Sequence, residues 1–580
     1  MSGRPVGPPA GSAPGSAGRG GQARSLDLAG TLRIHLVGIG GAGMSGIATI
    51  LAAMGHRVTG SDRRDSPTLR RLAERGIAVT VGHDLESVAV AQLVAASSAV
   101  PPSDPELVEA HRLGLAVVWR VELLAAVCAL RRTVAVAGTK GKTTTTAMVA
   151  HILEEAGERP SFLVGGDLPG VDGGSRWAPD SPWLVVEADE SDGTFLALPA
   201  EAAVVTNVEA DHLDHYGSMT ALRGAFLTFA RHASRTVVVG IDTPGSRLLA
   251  EELDGAAVTP VTPVTPGRVG TSGPGGIGGQ LRRAGVPTGA MEGGRGQETG
   301  VAASLWAARD LAAHWEAGAG NAAAGRGAPV VVTCGTSPDA GVRAGEVRVG
   351  RSTTSFELDP GSLQSGGPGP GERGPGSRGS GEAGGRRVLR VELPVPGVHN
   401  VRNACAALAV TTSVGVTLEQ GIAALATYRP VGRRFEWRGE LGGVGFVDDY
   451  AHVPSAVAAT LATARAGGWQ RIVAVFQPHL YSRTEMLGAE LGRALADADV
   501  VVVTDVYGAR ESPRAGVDGR LVASAVHLAR PDREVHYVAE RSVLASEVGG
   551  LLRPGDLCLS LGAGDVTSLA SEVAREWGGR

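Results

Sequence analysis

Residues Thr133 to Val149 read TVAVAGTKGKTTTTAMV, and no other stretch limits the chain's possibilities as much. The β-branched run Thr133, Val134, Val136 predicts a strand, Gly138 a turn, and the Thr/Ala segment after it a helix. A strand that passes through glycines into a helix N-terminus aims free backbone N–H groups and the positive end of the dipole at one point, which is an anion site. Lys142 adds a point charge, and Thr143 adds a hydroxyl able to reach a phosphate-bound Mg²⁺. The spacing is Gly138-x-x-Gly141-Lys142-Thr143, shorter than the Walker pattern, because Val136 stands where that pattern has its first glycine. The candidate phosphate-binding residues are therefore Gly138, Thr139, Lys140, Gly141, Lys142, Thr143 and Thr144.

Lysine usage supports this reading. Of 54 Lys plus Arg, only Lys140 and Lys142 are lysine, so 52 (54 minus 2) are arginine. A chain that uses arginine wherever a generic cation serves has kept lysine in the phosphate loop alone. A compact ammonium fits between phosphate oxygens where a planar guanidinium is too large.

At 580 residues the chain is too long for one core, and about 150 residues per domain predicts three or four domains. A net charge of −5 implies no broad basic surface, so nucleic acid is not an expected partner. Cys128, Cys334, Cys405 and Cys558 lie far apart with no CxxC spacing, which suits a reducing compartment. No apolar run reaches membrane-spanning length. Residues 1–30 are Gly/Pro/Ala/Ser/Arg-rich without an apolar h-region, and read as a disordered tail rather than a secretory signal. A cytoplasmic enzyme without membrane insertion is expected.

The fold class expected is α/β with three domains. Residues 31–132 open with a strand, a glycine turn and a helix start (TLRIHLVGIGGAGMSG), with Gly38, Gly40, Gly41 and Gly43 in a GxGxxG frame. The next strand ends at Ser61 and Asp62, the distance expected for an acid near a ribose. This Rossmann-like unit suits a nicotinamide dinucleotide or a UDP-linked ligand, since either would set a pyrophosphate on the helix. Ser97 and Ser98 end a later strand on the same ligand edge.

Residues 133–428 form a central phosphate-loop domain with a mixed sheet. In WLVVEADESD, Glu187 ends a buried strand and can hold Mg²⁺ beside the loop, whereas Glu190 and Asp192 read as a solvated acidic turn. AAVVTNVEADHLDHY is a further strand whose polar exit carries His212, a candidate metal or substrate contact. Segments of about 256–329 and 360–387 are Gly/Pro-rich insertions unable to bury enough apolar surface to offset their ordering entropy. TTSFEL and RVLRVEL should rejoin the sheet or form an edge hairpin. His399 and Asn403 fall on one helical face, with an Asn amide that suits an adenine edge. Residues 429–580 make a second Rossmann-like α/β unit. Its strands end at Asp448, Asp449, Tyr450, His452, His479, Arg483, Asp505 and Arg510, again the ligand edge.

With these motifs in hand, the chain resembles the Mur ligases, the ATP-dependent amide-forming enzymes of peptidoglycan synthesis. The blocks are GIGGAGMSGIA, GTKGKTTTT, EADESDGTFL, TNVEADHLDHY, GVHNVRNA, RRFE, DDYAH, FQPHLYSRT and LGAGDV, spread from about Thr31 to Gly579. The resemblance is greatest to the branch that joins L-alanine to UDP-N-acetylmuramate through an acyl phosphate. It implies ATP and Mg²⁺ as cofactors. Lys142 and the loop amides would hold the phosphates, and Thr143, Glu187 and His212 the metal. His399, Asn403, Arg434, Asp448 and Asp449 would contact the nucleotide. Tyr450, His452, His479 and Arg483 would receive the amino acid, with Arg483 on its carboxylate. Gly38, Gly40, Gly41, Gly43, Asp62, Ser97 and Ser98 would bind the UDP substrate. Lys142, Glu187, His212, His479 and Arg483 would be the catalytic set.

Three departures stand out. Lys140 occupies a usual histidine position, Val453 replaces the second histidine of a usual His-His-Pro, and no lysine after 142 exists to be carbamylated. The alanine-adding branch generally does without that last device. The nearest rival is a murein tripeptide recycling ligase. A nicotinamide oxidoreductase would use Gly38 to Asp62 but leave GTKGKTTTT without a role.

Overall fold

The computed structural model describes residues 26–255, 328–361, 363, 388–509 and 511–578. Most of the N-terminal tail, nearly all of both insertions, and Arg510 lie outside the described residues. The strands form three sheets of five, ten and six members, the three-domain α/β architecture expected from the motifs.

The first sheet is wholly parallel in the order β3-β2-β1-β4-β5, from β1 (Arg33–Val37), β2 (Arg57–Asp62), β3 (Ala78–Val81), β4 (Leu93–Ala96) and β5 (Ala116–Trp119). Ile34 and Leu36 are buried on one face, and Val37 with Val94 and Ala96 on the other. Strand order reverses at β1, and there the glycine turn leads into helix Ala42–Ala53. Ligands of open α/β sheets bind at such reversals.

The second sheet has the order β15-β14-β13-β12-β11-β10-β6-β9-β7-β8. Its first six strands along the chain are β6 (Arg132–Ala137), β7 (Ser161–Leu163), β8 (Ser175–Arg176), β9 (Trp183–Glu187), β10 (Ala200–Val205) and β11 (Ala233–Gly240). β6 is the switch point, parallel to β9 on one side and β10 on the other. Val134 to Ala137 are wholly buried, as a central strand covered on both faces requires. The strand pieces around the insertions do rejoin the sheet. β12 (Val330–Gly335) pairs parallel with β11, while β13 (Val342–Val349), β14 (Thr354–Asp359) and β15 (Leu389–Leu393) close an antiparallel edge.

The third sheet has the order β16-β17-β21-β18-β19-β20. It comprises β16 (Glu436–Leu441), β17 (Val444–Asp449), β18 (Arg471–Phe476), β19 (Val500–Thr504), β20 (Glu534–Val538) and β21 (Asp556–Leu561). Only the β16–β17 hairpin is antiparallel. β16 and β20, the two edges, carry little buried apolar surface, so their periodicity is weak in the sequence.

Arginine's planarity is used structurally. Arg131 and Arg132 lie 4.4 and 4.0 Å over Trp177 and Trp183, and Arg351 lies 4.4 Å over Trp469, joining the second and third domains. All four cysteines are buried and unpaired. The turn after β7 meets both neighbouring domains. Asp167 accepts from Gly432 N through its carbonyl and pairs with Arg71, and Asp172 pairs with Arg75.

Leu358 stands opposite Leu389 in the β14–β15 ladder, so the chain leaves and re-enters at adjacent points. Replacing residues 364–387 with a short Gly/Asn-containing turn should leave the thermal midpoint within about 3 °C, since no ladder bond is lost. A fall of about 10 °C in a thermal scan would show that this connection packs.

Candidate active site

Two glycines set the phosphate loop. Gly138 has φ +131, and a Cβ there would lie 2.1 Å from Thr206 Oγ1. Gly141 has φ +82, caps helix Lys142–Glu155, and would place a Cβ 2.4 Å from Asn403 Oδ1. No L-side chain fits either position without displacing the wall opposite.

Opposite Gly138 the wall is the polar exit of β10, and opposite Gly141 it is Asn403 of helix Val398–Ser413. Asn207 accepts from Lys140 N at 3.0 Å and donates to Lys140 O at 2.8 Å, and Thr206 Oγ1 donates to the same carbonyl at 2.5 Å. Glu209 N donates to Thr139 Oγ1 at 3.0 Å. The Glu209 carboxylate forms an ion pair with Lys140. Lys140 therefore has a local partner. Thr206, Asn207 and Glu209 were not singled out from sequence, although they stand in the TNVEADHLDHY block.

Lys142 donates to Gly138 O at 2.9 Å and to Glu190 Oε1 at 2.8 Å. Burial works against its charge, but the carboxylates of Glu190, Asp189 and Glu187 outweigh burial and hold the pKa above the usual lysine value. The expectation of a solvated acidic turn at Glu190 is corrected: the residue is 1% exposed. Tyr216 Oη donates to the Glu190 carbonyl at 2.5 Å, and an ammonium neutralises the side chain.

Thr143 Oγ1 donates to Glu187 Oε1 at 3.0 Å, and Gly165 N donates to Oε2 at 2.7 Å. A hydroxyl and a carboxylate oriented this way form a set of hard oxygen donors suited to Mg²⁺, which takes few protein ligands beside a phosphate. His212 has φ +51 and stands at the rim, its Nε2 3.9 Å from Asp211.

The loop forms one wall of a cavity of about 450 Å³. Thr139 to Thr144, Glu187 and His212 face His399, Asn403, Arg434, Asp449, Tyr450, His452 and Arg483 across it. Arg434 approaches Thr143 Oγ1 at 3.5 Å, directly between domains. Asp242 and Arg402, unforeseen from sequence, also line it.

Asp448 does not reach this cavity. It is fully buried within the third domain, accepting from Thr567 Oγ1 at 2.6 Å, Ser560 Oγ at 2.9 Å and Arg433 Nε at 3.2 Å. The expectation of a nucleotide contact from Asp448 is therefore corrected to a structural role, leaving Asp449 at the cavity. Burial raises the Asp449 carboxyl above the usual range against the pull of Arg434, while its oxygens hold Phe435 N and Ala451 N, both at 2.8 Å.

His399, His452 and His479 are held neutral. Burial lowers His399 to about 4, helped by Arg402 and Arg434. Burial lowers His452 to about 4 as well. Its Nδ1 faces Tyr450 O at 2.8 Å, so Nδ1 carries the proton and Nε2 is a free acceptor. His479 lies just behind, accepting from Arg483 Nη1 at 3.2 Å and stacked on Tyr507. Burial and Arg483 lower its pKa too.

The glycine turn of the first domain forms a separate site. Gly38 has φ +77, and its N–H and that of Ile39 both donate to Ser61 O. Asp62 accepts from Gly40 N at 3.0 Å, so this acid braces the turn itself. Gly41 caps helix Ala42–Ala53, Ser97 packs against Gly38, and Ser98 Oγ donates to Asp192 Oδ2 at 3.3 Å.

Three family models match the chain in succession: "Mur ligase family, catalytic domain" over residues 33–132, "Mur ligase middle domain" over 136–264, and "Mur ligase, glutamate ligase domain" over 433–564. A UDP-N-acetylmuramate–L-alanine ligase of Thermobifida fusca is 37% identical over 555 residues, covering 94% of this chain and 97% of that protein. The chain belongs to the Mur ligase family. A ligase of the same description from Kineococcus radiotolerans is 40% identical over 547 residues, covering 93% of this chain and 95% of that one. The crystal structure of the UDP-N-acetylmuramate–alanine ligase of Thermotoga maritima matches with a TM-score of 0.66 at 25% identity, over 95% of this chain and 100% of that one. The murein peptide ligase of Psychrobacter arcticus shares the Mur ligase fold at 19% identity and TM-score 0.54, over 95% and 99% of the two chains.

The buried Lys142–Glu190 pair yields a test. Lys142→Arg should cut ATP-dependent phosphate release by roughly 10²–10³-fold, since the larger fork cannot occupy the ammonium's place. Its thermal midpoint should stay near that of the unaltered protein. Near-normal release would contradict a specific need for lysine.

Proposed function

We propose that this Mur ligase joins L-alanine to the lactyl carboxylate of UDP-N-acetylmuramate at the expense of ATP. The names of its most similar relatives support the substrates. One structural observation carries the chemistry: a phosphate loop with Lys142, Thr143 and Glu187 faces Tyr450, His452 and Arg483 across a single cavity.

The reaction has two displacements. A carboxylate oxygen attacks the γ-phosphorus and ADP leaves, giving an acyl phosphate. The alanine nitrogen then attacks the acyl carbon, the C–O bond to phosphate breaks, and the nitrogen loses a proton. Lys142 would meet phosphate oxygens while keeping its Glu190 partner, so the ammonium stays charged throughout. Glu190 is a fixed counter-charge that keeps Lys142 aimed along the loop. Thr143 and Glu187 would hold Mg²⁺, with His212 lining the same cavity, and the ion would supply neutralisation of phosphate charge. His399 and Asn403 lie beyond the loop, where the adenosine end of ATP fits. Arg434 reaches in from the third domain to the same phosphates.

The amine side is built differently. Arg483 pairs with the amino-acid carboxylate and is itself held by His479. A neutral His452 with a free Nε2 can take the proton that the attacking amine gives up. Asp62, Ser97, Ser98 and the glycines Gly38 to Gly43 seat the UDP group. No helix among the described residues is long and apolar enough to cross a membrane. The need for ATP and four unpaired buried cysteines support a cytoplasmic setting.

Phosphate release measured with ATP, UDP-N-acetylmuramate and L-alanine, each omitted in turn, tests this reading. Full release should require all three. Release without the sugar nucleotide, or with a murein tripeptide but not with L-alanine, would overturn it.

A further inference from the structure

The glycine turn alone leaves a diphosphate short of charge. Asp62 already occupies the Gly40 N–H, and its own carboxylate adds a negative charge beside the turn. A cation is needed there, and neither lysine is near. Arg120 is in place. It starts helix Arg120–Ala129 after β5, so its charge faces the positive end of its own helix dipole, an unfavourable position unless an anion comes to it. Its side chain is only 17% exposed. The guanidinium lies against the first turn of helix Ala42–Ala53, where a Cβ on Gly43 would meet Nη1 at 2.7 Å. Gly43 is therefore required by this arginine as much as by the turn.

The guanidinium is anchored on one side only. Nη2 donates to Asp192 Oδ2 and Thr194 Oγ1, both at 3.2 Å and both from the central domain. Nη1 and Nε have no acceptor among the described residues. Nη1 alone carries two N–H groups on the side away from Nε–H, and both suit phosphate oxygens.

We propose that Arg120 binds the diphosphate of the UDP-linked substrate through Nη1, with Asp192 and Thr194 as its positioning residues. This rests on the function proposed above and adds a substrate contact outside the glycine motif. Asp192 belongs to the Glu187–Asp192 turn that also holds Lys142 through Glu190, and it accepts from Ser98 of the first domain.

Calorimetric titration of the intact protein with UDP and with uridine, without ATP, tests the assignment. Arg120→Met should weaken UDP binding by about 10- to 100-fold, the range for a charge-assisted hydrogen bond, and leave the weak binding of uridine unchanged. Arg120→Lys, which keeps the charge and loses the fork, should recover part of the loss. In kinetics, KM for UDP-N-acetylmuramate should rise with KM for ATP and L-alanine within about twofold. UDP affinity unchanged in a folded Arg120→Met would overturn the proposal. So would equal loss for UDP and uridine, which marks a structural role. If the unaltered protein binds UDP but shows no ligase turnover, the proposed function fails while the Arg120 contact is still decided by titration.

Discussion

At the centre of the molecule an ammonium, Lys142, is buried against Glu190, with Asp189 and Glu187 close by. Removing either partner would strand a charge in the interior, typically a loss of about 3–5 kcal/mol. The neighbouring structure follows from keeping this pair in place. β6 must end in the left-handed turn at Gly138, because Lys142 also donates to the Gly138 carbonyl. β9 must end in acids, and β10 must supply Thr206 and Asn207 to close the loop from the other side. Three adjacent strands thus converge on one loop. This explains why the switch point of the ten-stranded sheet is also its phosphate site.

The domains meet around the same feature. Arg434 comes from the third domain to within 3.5 Å of Thr143, and Asp192 from the second domain holds Arg120 and Ser98 of the first. The Asp167 turn touches both outer domains. The contacts to the third domain named here are polar ones of exposed or half-buried groups, whereas the first and central domains also share one buried apolar cluster that includes Ile47, Leu123, Leu163 and Phe195. Around Arg483, His452 and His479 meet edge to face, Tyr507 stacks on His479, and His479 accepts from Arg483.

Much of this was legible in the sequence because the central strands are short, wholly apolar and followed by polar residues at the ligand edge. The phosphate loop, Glu187, the GxGxxG turn and the third-domain cluster all follow that rule. What escaped was set by long-range partners. Glu190 and Asp192 look alike as acids in a turn. Only the fold shows that one is buried under Lys142 and the other braces Arg120. Asp448 and Asp449 are adjacent acids at one strand end, and pleating turns them to opposite sides. Asp448 points to Ser560 and Thr567, Asp449 to the cavity. Lys140 pairs with Glu209, 69 residues away. The edge strands Glu436–Leu441 and Glu534–Val538 were missed because an exposed edge needs no alternation of apolar residues.

The central claim is that the loop around Lys142 moves a phosphoryl group onto a carboxylate, rather than simply hydrolysing ATP beside it. UDP-N-acetylmuramate carrying ¹⁸O in both lactyl carboxylate oxygens tests it directly. The released phosphate is analysed by mass spectrometry after turnover with ATP and L-alanine. Transfer through an acyl phosphate predicts one ¹⁸O atom in each phosphate released. Phosphate free of label, with the amide still formed, would contradict the account.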